Sequence, residues 1–312
     1  MDSIIPRTLI IVLSVEFIIG NLGNGFIALV NCMDWVKRRK ISSVDQILTA
    51  LALSRIGVLW SIIIALVISF QNSHLLLIGK IIKILTLTWM VSNHFSIWLA
   101  TSLSMFYFLK IGNFSNSAFL YLKWRVKKAV SVILLVSLVL LFLNIVLINR
   151  QMDDWFGVHK GNLSYSSHLK KFKQFYRISV IVNTVFLSAP FAVSLVTFLL
   201  LIFSLWKHLK RMQHNARGPR DASTTAHVKA LQTVIAFLLL YAVFFLSLVV
   251  QFWISEFLEK SLMVLFCLAA GMIFPSGHAF VLILGNSKLK QASLSVLGRL
   301  KCRFKDVNTE NS

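Results

Sequence analysis

Residues 230–255 read ALQTVIAFLLLYAVFFLSLVVQFWIS, 26 residues without a single Asp, Glu, Lys or Arg. A helix that crosses a bilayer needs about 20 mainly apolar residues. Five more stretches are equally free of charge: 56–79, 84–109, 129–149, 178–206 and 261–287. A sixth, 8–33, is interrupted only by Glu16. Long helices of a soluble protein keep one polar face, and these stretches have none. Membrane strands would show alternating segments of about ten residues, and no such pattern is present.

Composition agrees. Hydrophobic residues make up 57% of the 312, charged residues only 14%, and mean hydropathy is +0.78. A soluble domain carries about 25% charged residues. Disorder requires the opposite balance. Three Cys and four Pro exclude a disulfide scaffold and a Pro-rich linker. The net charge of +21 is scattered between apolar runs, not gathered on a soluble basic domain. That excludes nucleic acid as a partner and leaves the lipid bilayer.

The spacing therefore predicts an all-α membrane protein, a seven-helix bundle over 1–285, with a tail over 286–312. The spans are expected at about 8–33, 46–70, 84–109, 129–149, 178–206, 230–255 and 262–285. The first is too long for a cleavable signal and lacks a small-residue cleavage site, so it reads as an uncleaved anchor. Linkers 34–45, 110–128, 207–229 and the tail hold 21 Lys/Arg, whereas the alternate segments hold 10. The excess marks the first set as cytoplasmic, with the N-terminus outside and the C-terminus inside. Trp35, Trp124 and Trp206 then mark the inner interface, and Trp155 and Trp253 the outer one. The sequon at Asn162 falls outside and is expected to be glycosylated. The sequon at Asn113 falls inside and is not. In the tail, Leu289, Ser293, Val296, Leu297 and Leu300 recur at helical spacing among basic residues. They predict an amphipathic helix on the inner leaflet, ending at Cys302, a candidate for palmitoylation.

Ionisable groups inside spans are the first functional candidates. Arg55 lies about nine residues above the inner end of span two. Asn24 lies at similar depth in span one, and Ser276 and His278 do so in span seven. The four are expected to form one polar knot beside the helix-kinking Pro275. Glu16 sits higher in span one. Pro275-Ser276-Gly277-His278 matches the middle motif of the membrane lipid phosphatases, but the Arg-Pro and the second His that those enzymes need are missing. No His pair sits at i,i+4, and no phosphate loop or nucleophile elbow is present, so neither a metal, a cofactor nor an enzyme is expected.

The outer halves carry a different set. Trp89 and Asn93 share a helical face of span three, with His94 beside them. Span five offers Asn183 and Phe186, span six Tyr241, Phe244 and Phe245, and span seven Leu268. Apolar and aromatic walls with few amides describe a small-molecule pocket.

The sequence resembles a known family. Span one reads Gly20-Asn21-Leu22-Gly23-Asn24-Gly25-Phe26-Ile27, then Asp34-Trp35-Val36-Lys37. Span two reads Ile47-Leu48-Thr49-Ala50-Leu51-Ala52-Leu53-Ser54-Arg55. Span three ends Phe106-Tyr107-Phe108-Leu109-Lys110-Ile111-Gly112. Span five ends Ser204-Leu205-Trp206-Lys207-His208, and span six opens Ala226-His227-Val228-Lys229. Span seven closes Ile283-Leu284-Gly285-Asn286-Ser287-Lys288. These motifs, in this order, are similar to those of the type 2 taste receptors, the G-protein-coupled receptors of bitter taste.

The resemblance implies activation by bitter small molecules and coupling to gustducin-type G proteins. It places the pocket among spans two, three, five, six and seven, with Trp89 and Asn93 in it and Tyr241 as a switch. It places Tyr107, Lys110, Leu205, His208, Arg211 and Met212 toward the G protein. Gly112 stands where most members have Ala, and Leu268 where a polar or acidic residue is frequent. Leu268 leads to an expected preference for neutral or weakly acidic ligands. A transporter or channel is the alternative, weakened by the lack of internal repeats.

Overall fold

The computed structural model describes residues 4–38, 41–70, 75–112, 114–158, 165–215, 222–254 and 261–310. Among them every regular element is a helix: α1 Ile4–Arg38, α2 Ser43–Phe70, α3 Leu75–Ile111, α4 Ser117–Trp124, α5 Val126–Val158, α6 Tyr165–Asn215, α7 Ala222–Ile254, α8 Ser261–Gly285 and α9 Ser287–Glu310. Asn162 and Asn113 lie outside the described residues.

Among the described residues, α1, α2, α5, α6, α7 and α8 each hold a stretch long and apolar enough to cross a membrane. The stretch 84–109 forms most of α3, a helix of 37 residues. Its middle carries Ser92, Asn93, His94, Ser96, Thr101, Ser102 and Ser104, and all but Ser92 are buried. The reason is position. α3 packs on α2, α5 and α6, so most of its surface meets other helices rather than lipid. α8 is likewise enclosed, by α1, α2 and α7.

Small residues set how closely these helices approach. A Cβ on Gly20 would stand 2.7 Å from both Leu59 Cδ1 and Ser276 Oγ, and one on Gly23 would stand 2.9 Å from the Ala279 Cβ. Gly57 presses on Ser92 in the same way, at 2.5 Å. α1 thus lies directly against α8, and α2 against α3. Gly20→Leu is expected to push α1 off α8 and cost about 1–3 kcal/mol through overpacking. A lower melting temperature of the purified protein checks it, with Gly25→Leu, where the added Cβ meets nothing within 4 Å, as the control.

Two prolines interrupt long helices, Pro190 in α6 and Pro275 in α8. Each removes one N–H from its ladder. Side chains from neighbouring helices bond at both places. Thr101 Oγ1 donates to the Pro190 carbonyl at 3.3 Å, and Asn24 Nδ2 donates to the Pro275 carbonyl at 2.9 Å. Ser194 Oγ donates to Thr101 Oγ1 at 2.8 Å, and Ser104 and Thr197 pair at 3.2 Å. These hydroxyls form a polar seam between α3 and α6.

At the basic end the chain closes with short elements. Lys123 Nζ donates to the Gly112 carbonyl at 2.9 Å, and the rings of Phe108, Phe114 and Phe119 pack edge to face or tilted at 5.2–5.9 Å. A Cβ on Gly112 would come within 2.6 Å of the Phe108 carbonyl and 3.1 Å of the Phe119 ring. The seat of α4 in this chain is therefore fitted to glycine. On α9, Leu289 is buried against the bundle, whereas Leu294, Val296 and Leu297 are exposed, as an amphipathic helix on a leaflet requires. Cys302 is exposed near its end.

Candidate functional site

Arg55 is completely buried at the junction of α2 and α8. One terminal nitrogen, Nη2, bonds Nδ1 of His278. A guanidinium can only donate, so Nδ1 must accept, and the proton of this imidazole sits on Nε2. The guanidinium carbon also lies 4.9 Å from the centre of the Phe274 ring, a cation–π contact. Nε and Nη1 of Arg55 have no partner among the described residues.

The knot expected around Arg55 is divided differently. Asn24 bonds the main chain of both α1 and α8, through the carbonyls of Gly20 and Pro275, and not Arg55. Ser276 donates to the Glu16 carbonyl at 2.9 Å. Of the three expected partners only His278 reaches the guanidinium. Asn24 and Ser276 instead fasten α1 to α8, because the small residues at Gly20 and Gly23 bring those two backbones within reach. Glu16 contributes its main chain here, and its Oε2 is buried without a partner among the described residues.

From His278 a chain of rings runs toward the opposite end. His278 packs on Phe237 at 4.3 Å and on Phe274 at 5.5 Å. Phe274 stacks on Tyr241 at 5.1 Å. Tyr241 meets Phe191 edge-on at 5.2 Å, and Phe191 stacks on Phe245 at 4.2 Å with planes 4° apart. Phe244 completes the cluster against Phe274 and Tyr241. Four helices, α2, α6, α7 and α8, meet along this line. Tyr241 is 1% exposed, and its hydroxyl lies beside Thr101 without a well-formed hydrogen bond. Phe191, which follows the kink at Pro190, escaped the sequence reading. Its position directly after a mid-span proline was the available signal.

The remaining outer residues take separate places. Asn93 is buried at 4% exposure. Trp89 is half-buried and packs against the cluster of Met90, Ile148 and Met152, which Ile145 of α5 and Val182 of α6 also join. His94 faces α5, where it bonds the Ser137 carbonyl, and its Nε2 has no partner among the described residues. Asn183 bonds the carbonyl of Ser179 at 2.9 Å and accepts from Asn144 of α5 at 3.5 Å. Asn144, 3% exposed, is a further residue that the sequence reading missed. Phe186 is half-buried. Leu268 packs with Leu13, Leu59, Ala269 and Met272, on the α1–α2 side of α8. The residues thus form three groups: rings between α6, α7 and α8; Trp89 with the amides near α5; and Leu268 near α1.

At the basic end, Lys288 joins three segments. Its Nζ lies 2.9 Å from Asp34 and 3.3 Å from Asp45, and donates to Asn31 at 3.1 Å. Beside this knot a cavity of about 620 Å³ is lined by the start of α2, by Phe106, Tyr107 and Lys110 of α3, by Lys127 of α5 and by residues 285–288. Lys110 is exposed, whereas Leu205 is 4% exposed and part of the core. The side chains of His208, Arg211 and Met212 lie outside the described residues. Among the described residues no group of His, Cys, Asp and Glu is placed to hold a metal.

Comparison with known proteins gives this geometry a context. The family described as taste receptor protein (TAS2R) matches residues 1–301. Taste receptor type 2 member 140 of Rattus norvegicus is 57% identical over 304 residues, covering 97% of each chain. Taste receptor type 2 member 14 of Papio hamadryas is 57% identical over 306 residues, covering 98% of this chain and 96% of the relative. Member 14 of Homo sapiens is 55% identical over 306 residues, with the same coverage. A helical bundle matched by this family model over residues 1–301 and 55–57% identical to these receptors over nearly their whole length is a multi-pass receptor, and the chain belongs to the TAS2R taste receptor family.

Proposed function

We propose that this taste receptor detects bitter small molecules in the outer half of its bundle and passes the signal to a gustducin-type G protein at its basic, cytoplasmic end. The observation that carries the reading is the ring chain from Phe245 through Phe191, Tyr241 and Phe274 to His278 and Arg55. It spans α6, α7, α8 and α2, the helices whose relative positions a receptor must change.

In this reading an agonist contacts Trp89 and Asn93 on one wall and Phe245 with Tyr241 on the other. Phe186 and Phe244 add apolar surface. Asn183 and His94, tied to neighbouring helices, hold the wall rather than the ligand. The walls named here carry aromatic rings and an amide but no charge, so the ligand is neutral or weakly acidic and largely apolar. The agonist shifts the bundle only by its greater affinity for the active arrangement. Movement of α7 then opens the basic end near Tyr107, Lys110, Leu205, His208, Arg211 and Met212. The chemistry is recognition and coupling, not catalysis. Arg55 as a re-pairing switch belongs to the same reading.

The test is intracellular calcium in cells expressing the chain with a gustducin-containing chimeric G protein, across a panel of bitter compounds. A dose-dependent response that needs both chain and G protein is expected. Solute flux without any G protein, in place of that response, would support the transporter alternative. Orientation is tested separately. Asn162→Gln should abolish the glycan mass shift, whereas Asn113→Gln should leave it unchanged, and a shift that survives Asn162→Gln would overturn the topology.

A further inference from the structure

The cavity at the basic end has a size and a lining that the agonist reading does not use. At about 620 Å³ it falls within the range of small-molecule sites. Its lining brings Lys110 from α3 and Lys127 from α5 to one space, with the hydroxyls of Ser42, Ser43 and Ser287 and the aromatic wall of Phe106 and Tyr107. Lys288 and Asp45 also line it, but they already pair with each other. Among the described residues neither Lys110 nor Lys127 has an acidic partner. The lining carries three lysines against one aspartate, and counting Asp34 behind Lys288 still leaves it positive. The amides of Ser43 and Val44 open α2 beside it, without intrahelical acceptors.

Depth narrows the ligand class. The cavity sits where α2 and α9 begin and α3 ends, at the end of the bundle marked by exposed Trp35, Trp124 and Trp206. Exposed tryptophans of this kind lie at headgroup level. A basic pocket between helices at the cytoplasmic headgroup level suits phosphorylated headgroups.

We infer that this cavity binds a phosphomonoester anion, supplied either by an inner-leaflet inositol lipid or by a free inositol phosphate. The phosphate sits between Lys110 and Lys127, with the serine hydroxyls and the first amides of α2 as further donors. Phe106 and Tyr107 form the wall behind it. Because Tyr107 and Lys110 also belong to the surface proposed to face the G protein, an occupied cavity changes the shape that the G protein meets. The inference rests on the cytoplasmic placement of this end and on nothing about the agonist.

The test uses purified full-length receptor in phosphatidylcholine nanodiscs, without agonist or G protein. Fluorescent short-chain phosphatidylinositol bisphosphate is titrated in, and inositol trisphosphate or inorganic phosphate is used to displace it. Saturable binding is expected. Each lysine near the surface contributes about a fivefold factor, so Lys110→Gln with Lys127→Gln should weaken binding about 25-fold. Lys127→Gln alone, at an exposed position that leaves the core intact, should weaken it about fivefold. Lys290→Gln with Arg299→Gln, on α9 outside the cavity, should leave it unchanged. Displacement by inositol trisphosphate as effective as by the unlabelled lipid identifies the free phosphate as the source, and displacement by the lipid alone identifies the membrane. No saturable binding by the unmodified receptor overturns the inference. So does an equal loss in the α9 control, which would mean a diffuse basic surface. Silence in the calcium assay would not bear on either outcome.

Discussion

Receptor carrying His278→Phe will be less stable than receptor carrying Arg55→Met, although both lose the same hydrogen bond. The asymmetry follows from what each change leaves behind. Phe at 278 keeps an aromatic ring against Phe237 and Phe274 but removes the acceptor at Nδ1. The guanidinium, already with two unpartnered nitrogens, is then a buried cation with none of its nitrogens bonded. Leaving a buried charged donor without its acceptor costs more than the about 1–3 kcal/mol of a neutral group. Met at 55 removes the charge itself and fills most of the space. It leaves one unsatisfied imidazole nitrogen, which costs about 1–3 kcal/mol. The double variant, with neither group left wanting, should recover much of the loss. Thermal unfolding of the three variants in nanodiscs measures this directly. If the two single losses simply add in the double variant, the Arg55–His278 bond is not the organising contact between α2 and α8. Calcium responses of the same variants, normalised to surface expression, report separately on signalling. A double variant that regains stability and stays silent would mark the pair as part of the switch.

The second large effect concerns Tyr241. Tyr241→Ala should abolish most of the maximal response and cost about 3–5 kcal/mol, the usual range for large-to-small changes at a buried aromatic. Its ring touches Phe191, Phe237, Phe244 and Phe274, so removing it breaks the ring chain at its centre. Tyr241→Phe should do little, because the hydroxyl has no well-formed partner to lose. Asn93→Ala, by contrast, should raise the half-maximal agonist concentration about tenfold, the equivalent of one hydrogen bond, with the maximum retained. Dose–response curves at matched surface expression separate the three. A Tyr241→Phe variant with the same loss as Tyr241→Ala would show that the hydroxyl, not the ring, acts in the switch. An Asn93→Ala variant that loses only its maximum would remove that amide from the ligand wall.

Legibility differed along the chain for identifiable reasons. The expected span over 178–206 lies within α6, Tyr165–Asn215, because freedom from charge over 29 residues leaves few alternatives in a bilayer. α6 extends beyond that stretch at both ends, through segments rich in Lys and His that no hydropathy rule can assign to helix or loop. α4 lay inside what reads as a loop. Its eight residues are too few for periodicity to show, and contacts among Phe108, Phe114 and Phe119 hold it.

The site was legible as a set of residues and not as an arrangement. That Arg55 sits in a span, and that an imidazole and an amide lie at its depth, is a matter of counting along helices with a fixed rise. The membrane class, the seven apolar stretches and the family motifs also belong to the chain itself, since they depend on composition and order alone. Which partner reaches Arg55 depends on how each helix is rotated about its axis and how closely it approaches its neighbours. Contacts such as Gly20 on Leu59 and Ser276, and Gly57 on Ser92, decide that. They turned Asn24 and Ser276 to the main chain across the α1–α8 seam and left His278 to Arg55. Packing of α6 on α5 and α7 likewise tied Asn183 to Asn144 and placed Phe191 against Tyr241 and Phe245. Rotation and approach arise from packing between segments up to 260 residues apart, so they exist only once the helices have met.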